Sequence, residues 1–266
     1  MINVKHLEKT IKTLVFRILV NSNLVNSLRV ISSKITPYFP WNFKFLKEVT
    51  NFYSQFLKKG DICFDIGANF GDYTRYFLKL KAKVICVEPQ KKCIEKLYER
   101  FGKNKNVIII EKAVGRKSYL GEIQISEKSS SLSTMSNKWK EKSRYSRKLK
   151  WNTTQEVEVT TLDNLIDTYG TPSFCKIDVE GFEIEVLAGL TKKIPLLSFE
   201  FHIELFDDAK TCLNHLINLG YSKFNFAVYG GWSFCSIKWL YYEEIIELIN
   251  KAEDNVFLTG DIYAKL

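Results

Sequence analysis

A doubly wound α/β fold, with a mostly parallel sheet covered by helices on both faces, is what this 266-residue sequence predicts. Three observations predict it. From Asp61 onward, short apolar runs alternate with amphipathic stretches of helical period. The runs are continuously apolar and rich in β-branched residues, as strands buried on both faces are. The first two runs end in a glycine-bearing turn and in an acid, the places where open α/β sheets hold ligands.

In chain order, strands are expected over 62–66, 84–87 and 107–110, with helices over 73–80 and 93–101 between them. A hairpin-like run at 120–125 follows, then a basic loop and a strand at 156–160. Helix 162–169, strand 174–179, helix 182–188 and strand 196–201 continue the alternation. The chain then reads as helix 209–219, strand 221–228, helix 241–250 and strand 256–264. The last two strands lack the early spacing and are expected to form an antiparallel edge hairpin.

Apolar residues make up 45% and charged residues 26%, which excludes wholesale disorder. At this length burial is extensive enough that no disulfide or metal staple is needed. The six cysteines form no C-x-x-C pair, and Cys63, Cys86 and Cys175 lie in apolar runs, so free thiols in a reducing compartment are expected. Arg17 interrupts the apolar run near the N-terminus, so neither a signal peptide nor a membrane span is expected, and the location predicted is cytoplasmic.

The net charge of +9 is localised. Residues 1–59 carry +8 and residues 127–150 carry +6, which leaves the rest of the chain at −5. A nucleic-acid-binding core carries its own basic surface; this one does not, and no nucleic-acid partner is expected. Residues 4–35 place Leu7, Ile11, Leu14, Val15, Ile18 and Leu19 at helical spacing with basic residues off that face. Two readings stand for this segment: a helix packed on the domain or a second copy, and a basic helix resting on an anionic membrane surface. The predicted organisation is thus an N-terminal helical extension over 1–42 and a catalytic-type domain over 43–266, with 127–150 as a basic loop insertion. That insertion reads either as a solvated loop or as a flap over a nearby site.

The first strand ends Asp65-Ile66-Gly67-Ala68-Asn69-Phe70-Gly71-Asp72-Tyr73-Thr74. Gly67 and Gly71 permit a tight turn and close approach to a ligand, Asp72 or Thr74 supplies a helix cap, and Asp65 is a carboxylate for a cationic ligand group. The spacing is not the G-x-G-x-x-G of dinucleotide binders. Glu88-Pro89 ends the second strand, 21 positions after Gly67, where an acid accepts hydrogen bonds from ribose hydroxyls. Beyond the third strand, Lys112 and Ala113 flank the place of a flat base.

Asp65-Ile66-Gly67-Ala68-Asn69-x-Gly71-x-Tyr73-Thr74, Glu88-Pro89 and Lys176-Ile177-Asp178-Val179-Glu180-Gly181-x-Glu183 together resemble the FkbM family of S-adenosylmethionine-dependent methyltransferases. The resemblance spans about 61–204. It implies a class I methyltransferase (Rossmann-like) fold, S-adenosyl-L-methionine as donor, and O-methylation of a sugar or other hydroxyl. Carried over by motif, Asp65, Gly67, Asn69, Gly71 and Glu88 hold the cofactor, with Ala68, Tyr73, Thr74, Pro89, Lys112, Ala113 and Asp178 beside them. Residues 127–150 depart from the compact family core and leave the acceptor open.

Methyl transfer needs no metal and no covalent intermediate. Alternation along 174–179 puts Lys176, Asp178 and Glu180 on one side, costly in an apolar segment unless paired or facing a cavity. Along 196–204 the same alternation aligns Glu200, His202 and Glu204. Asp178, Glu180, Glu200 and His202 are therefore the candidate catalytic residues, with internal ion pairs such as Lys176–Asp178 as the structural alternative. Donor type would let Asp178, Glu200 and Glu180 gather a divalent cation, but no spacing requires one and no metal site is assigned. A scaffold that keeps the fold without catalysis is a second reading. Nucleic-acid methylation is a third, and no Asn/Asp-Pro-Pro-Tyr/Phe tetrapeptide supports it.

Overall fold

A computed structural model describes residues 41–126, 128–229, 231–251 and 258–266. The helix expected over 4–35 lies outside them. The first described element, α1 (Trp41–Tyr53), straddles the expected boundary at 42–43, and its Val49, Phe52 and Tyr53 are buried in the core.

The alternation then unfolds as β1 (Ile62–Ile66), α2 (Asp72–Lys79), β2 (Lys83–Val87), α3 (Lys91–Phe101) and β3 (Val107–Ile110). Next come β4 (Ala113–Val114), β5 (Tyr119–Ile125), a 3-10 turn at Ser130–Leu132, α4 (Asn137–Lys142), β6 (Thr153–Thr160) and α5 (Leu162–Tyr169). The second half contains β7 (Phe174–Ile177), α6 (Glu183–Ala188), β8 (Leu196–His202), α7 (Phe206–Asn218), β9 (Lys223–Val228), α8 (Tyr242–Asn250) and β10 (Thr259–Lys265).

Seven strands form one sheet in the order β3-β2-β1-β7-β8-β10-β9. All neighbouring pairs from β3 to β8 are parallel, and β10 runs antiparallel to both β8 and β9. The edge hairpin expected from the sequence is thus present as a β9–β10 pair, with the later strand inserted on the inner side. β6, which the sequence pattern placed in the main alternation, instead joins β4 and β5 in a separate three-stranded sheet.

Alternation within each strand explains the two-faced core. Phe64, Ile66, Ile85, Val87, Cys175, Ile177, Leu197 and Phe199 point to one layer, against Leu162, Leu165, Val186, Leu213 and Ile245. Cys63, Val84, Cys86 and Phe174 point to the other, against Phe52, Tyr53, Phe77, Leu97 and Phe101. Five of the six cysteines are buried and all are free thiols. Burial holds every one of these five well above the usual thiol range.

The strand order reverses between β1 and β7, and the two strand ends meet there. Gly67 has φ +78°, and a Cβ on it would lie 1.8 Å from the carbonyl oxygen of Asp178. Only glycine fits this crossing. Gly67→Ala is expected to cost about 2–5 kcal/mol, the sum of a left-handed backbone penalty and overpacking. A urea titration checks this; an unchanged midpoint would refute it. The capping expectation fails at α2: its N-cap is Gly71, without a side-chain cap, and Asp72 pairs instead with Arg100 at 3.2 Å. β7 also stops two residues early, because Glu180 (φ +53°) and Gly181 (φ +86°) turn the chain sharply.

Candidate active site

A cavity opens at this switch in strand order, walled by the turn after β1, the ends of β2 and β7, the start of β4, and the insertion. Among the residues predicted for the cofactor, Gly67, Ala68, Asn69, Tyr73, Glu88, Pro89, Lys112, Ala113 and Asp178 line it. Asp65, Gly71 and Thr74 do not, which corrects the sequence expectation. The Asp65 carboxylate is 1% exposed and accepts a hydrogen bond from the Thr74 hydroxyl at 2.6 Å, so both side chains lie beneath the turn and tie α2 to β1. Gly71 is glycine for packing: a Cβ there would lie 2.7 Å or less from Leu97 and Phe101 of α3.

Glu88 is held in place by backbone. Its Oε2 accepts from the Asn69 amide at 2.8 Å and its Oε1 from the Gln90 amide at 2.9 Å. Each carboxylate oxygen retains a further lone-pair direction. Burial pushes its pKa up to about 7 despite these donors.

Deeper in, Lys176 is fully buried. Its ammonium lies 2.7 Å from Asp178 Oδ2, 3.9 Å from Asp261 Oδ1 and 4.1 Å from the centre of the Tyr73 ring. The ion pair considered as the structural alternative is therefore present, yet Asp178 also faces the cavity. Burial opposes the charge on Lys176, but Asp178 and Asp261 outweigh it and raise its pKa. Asp178 itself is raised, first by burial and then by the facing charge of Glu200.

Glu180 and Glu200 also line the cavity, while His202 stands behind them. His202 Nε2 is 3.0 Å from Glu200 Oε2 and 3.9 Å from Glu180 Oε2. Burial works against an ionised Glu200, and the neighbouring imidazole outweighs it, so its pKa falls. The same pair raises His202 against the effect of its own burial. Glu204, aligned with this pair in the sequence, turns away: it sits past the strand end, bound by the Arg144 guanidinium at 2.6 and 2.8 Å.

The insertion is packed, not loose. Trp139 of α4 is fully buried, 4.2 Å between ring centres from His202, and its Cβ would lie 2.8 Å from a Cβ on Gly181. Lys138 pairs with Asp208 and Arg144 with Glu204, so basic residues of the insertion clamp onto acids of the body. Thr134 donates to the Glu180 carbonyl at 2.7 Å, and Ser130 donates to the Asn69 side chain at 3.2 Å. Ser130, Ser131, Ser133, Thr134 and Met135 form part of the cavity wall.

Sequence reasoning missed Gln90, Tyr229, the serine wall and Asp261. Asp261 had a usable signal, a lone acid in an apolar strand, the logic that singled out Lys176. Its register partner is Glu200. The serines carried no signal, since their place depends on a loop path.

Comparison with known protein families finds one match, the methyltransferase FkbM domain, over residues 65–226. That is well over half of the chain. The chain belongs to this family. It is a methyltransferase, and the donor of its family is S-adenosylmethionine. No curated protein matches the methyltransferase. Among solved structures it is similar to a TehB-like SAM-dependent methyltransferase from Corynebacterium glutamicum, at 10% identity and a TM-score of 0.44 across 92% of this chain and 97% of that one. It is also similar to a precorrin-6y C5,15-methyltransferase from Geobacter metallireducens, at 11% identity and TM-score 0.43, over 83% of this chain and 84% of that one. No described helix is long and apolar enough to cross a membrane.

Proposed function

We propose that this methyltransferase O-methylates a hydroxyl of a saccharide, free, nucleotide-linked or lipid-linked. The observation that carries the reading is the convergence of Asp178, Glu180 and Glu200 on one end of the cavity whose other end holds Glu88. The cavity suits the donor: Glu88 keeps acceptor capacity for ribose hydroxyls, Ala113 leaves room for a flat base, and the left-handed turn at Gly67 keeps side chains out of the strand crossing. Three carboxylates at the far end suit an acceptor rich in hydroxyl donors, and would repel an anionic reacting centre.

The donor supplies an electrophilic methyl on a sulfonium. With the donor bound, Asp178 would take the proton of the acceptor hydroxyl as its oxygen displaces the sulfur from the methyl carbon. Lys176 holds Asp178 in one orientation for this transfer. Positioning supplies roughly 7–11 kcal/mol of such a reaction, and a base adds about 10²–10⁴-fold.

The test is transfer of labelled methyl from S-adenosylmethionine to a panel of saccharides and nucleotide sugars beside RNA, DNA and protein. Label is expected in an alkali-stable sugar ether. Label confined to nucleic acid or protein would overturn the reading.

Donor affinity is expected to depend on pH through Glu88. The ionised carboxylate is the better acceptor, and its pKa is about 7. Affinity for S-adenosylhomocysteine should therefore fall as pH drops, by up to about 30-fold from pH 8.5 to 5.5 for one proton at that pKa. Calorimetry at several pH values checks it, with Glu88→Gln as the pH-insensitive control. Parallel profiles for the two proteins would refute the assignment.

A further inference from the structure

We propose that Glu180, Glu200 and His202 bind a divalent metal ion. Among the described residues they bring three ligand atoms within 4.8 Å of one another. Octahedral bonds of ~2.1 Å place adjacent ligand atoms roughly 3.0 Å apart and opposite ones roughly 4.2 Å apart. The observed 3.0 and 3.9 Å from His202 Nε2 fall in that range.

The imidazole itself points to a cation. Thr259 Oγ1 lies 3.1 Å from the Phe201 carbonyl, to which it donates, and 3.0 Å from His202 Nδ1. The hydroxyl has one hydrogen, so towards His202 it accepts, and Nδ1 carries the ring proton. Nε2 then presents a lone pair to the cluster, the arrangement by which outer groups orient a metal-binding histidine.

Glu200 Oε2 and His202 Nε2 are buried and make no hydrogen bond, although 3.0 Å apart. Both residues are only 8% exposed. Two such atoms facing each other out of water call for a positive charge between them, a proton or a metal ion. A bridging proton would serve Glu200 alone, whereas the third ligand atom, on Glu180, also lies within reach of the group. A metal uses all three. The sharp backbone turn at Glu180 (φ +53°), fixed by Thr134, is what brings its carboxylate to the group.

Two carboxylates and one imidazole suit a first-row divalent ion. Because Glu180 and Glu200 face the cavity, two adjacent hydroxyls of the acceptor together with one water would complete the shell. That last role rests on the saccharide reading; the metal site does not.

The test uses the full chain, dialysed against a chelator, without donor or acceptor, and Mn²⁺ as probe followed by electron paramagnetic resonance. One saturable ion per chain is expected, with affinity at least tenfold weaker in Glu200→Gln and His202→Asn and unchanged in Asp72→Asn. Retained S-adenosylhomocysteine binding shows that the variants are folded; if either is not, Glu180→Gln takes its place. Absence of a saturable site, or equal affinity in all variants, overturns the proposal. Mn²⁺ binding without methyl transfer to any saccharide would leave the metal site standing and sink the acceptor reading instead.

Discussion

Replacing Glu88 by alanine is expected to weaken S-adenosylhomocysteine binding by roughly 10²–10⁴-fold, the loss of two hydrogen bonds to a charged acceptor at about 1.5–3 kcal/mol each. The change also strips the Asn69 and Gln90 amides of their acceptor. Part of the loss is therefore a loosened turn. Glu88→Gln separates the effects, because an amide oxygen still serves one backbone donor at similar volume. Calorimetry is the measurement. A loss below about threefold in the alanine variant would show that the ribose lies elsewhere.

Asp178→Asn is expected to lower kcat by about 10²–10⁴-fold, the usual worth of a positioned base. Donor affinity should stay within a few-fold. The cavity meets Asp178 at a point where the backbone touches the Gly67 turn, so the donor side depends on main chain that the substitution keeps. The neighbouring Lys176 complicates the variant. Stripped of its nearest carboxylate, a fully buried ammonium would cost about 3–5 kcal/mol if left unpaired, but Asp261 remains at 3.9 Å. A thermal melt beside the kinetics keeps the two effects apart. Unchanged kcat would remove Asp178 from the chemistry; a collapse of donor affinity would assign it to donor holding.

The fold was legible because its signals are local and redundant. β1, β2, β7 and β8 are runs of apolar residues that can only be buried on both faces, and each amphipathic helix between them forces a crossover. What failed to show was long-range. The expected strand at 156–160 has the same apolar pattern as its neighbours, and nothing local says that it pairs with β4 and β5 instead of the main sheet. β10 enters the sheet between β8 and β9, a choice that depends on cross-strand partners far apart in sequence.

The site divides in the same way. Glu88, Asp178, Glu180 and Glu200, which line the cavity, could be singled out because acids at the ends of apolar strands have few purposes. Asp65 satisfied that rule and still faces Thr74, since which way a strand-end side chain turns depends on the helix packed over it. Composition left the insertion open between a solvated loop and a flap over the site. Its buried anchor is Trp139, whose fit against Gly181 and His202 no local pattern announces.

The buried cysteines carry a practical consequence. Cys63, Cys86 and Cys175 sit on three adjacent central strands and Cys212 on a covering helix, each shut away from water with its thiol held protonated. Thiolate is the reactive form, so alkylating reagents modify these positions only when the surrounding segment breathes open. Labelling rates, read cysteine by cysteine in the native protein, would therefore map where the molecule first comes apart, with no engineered probe.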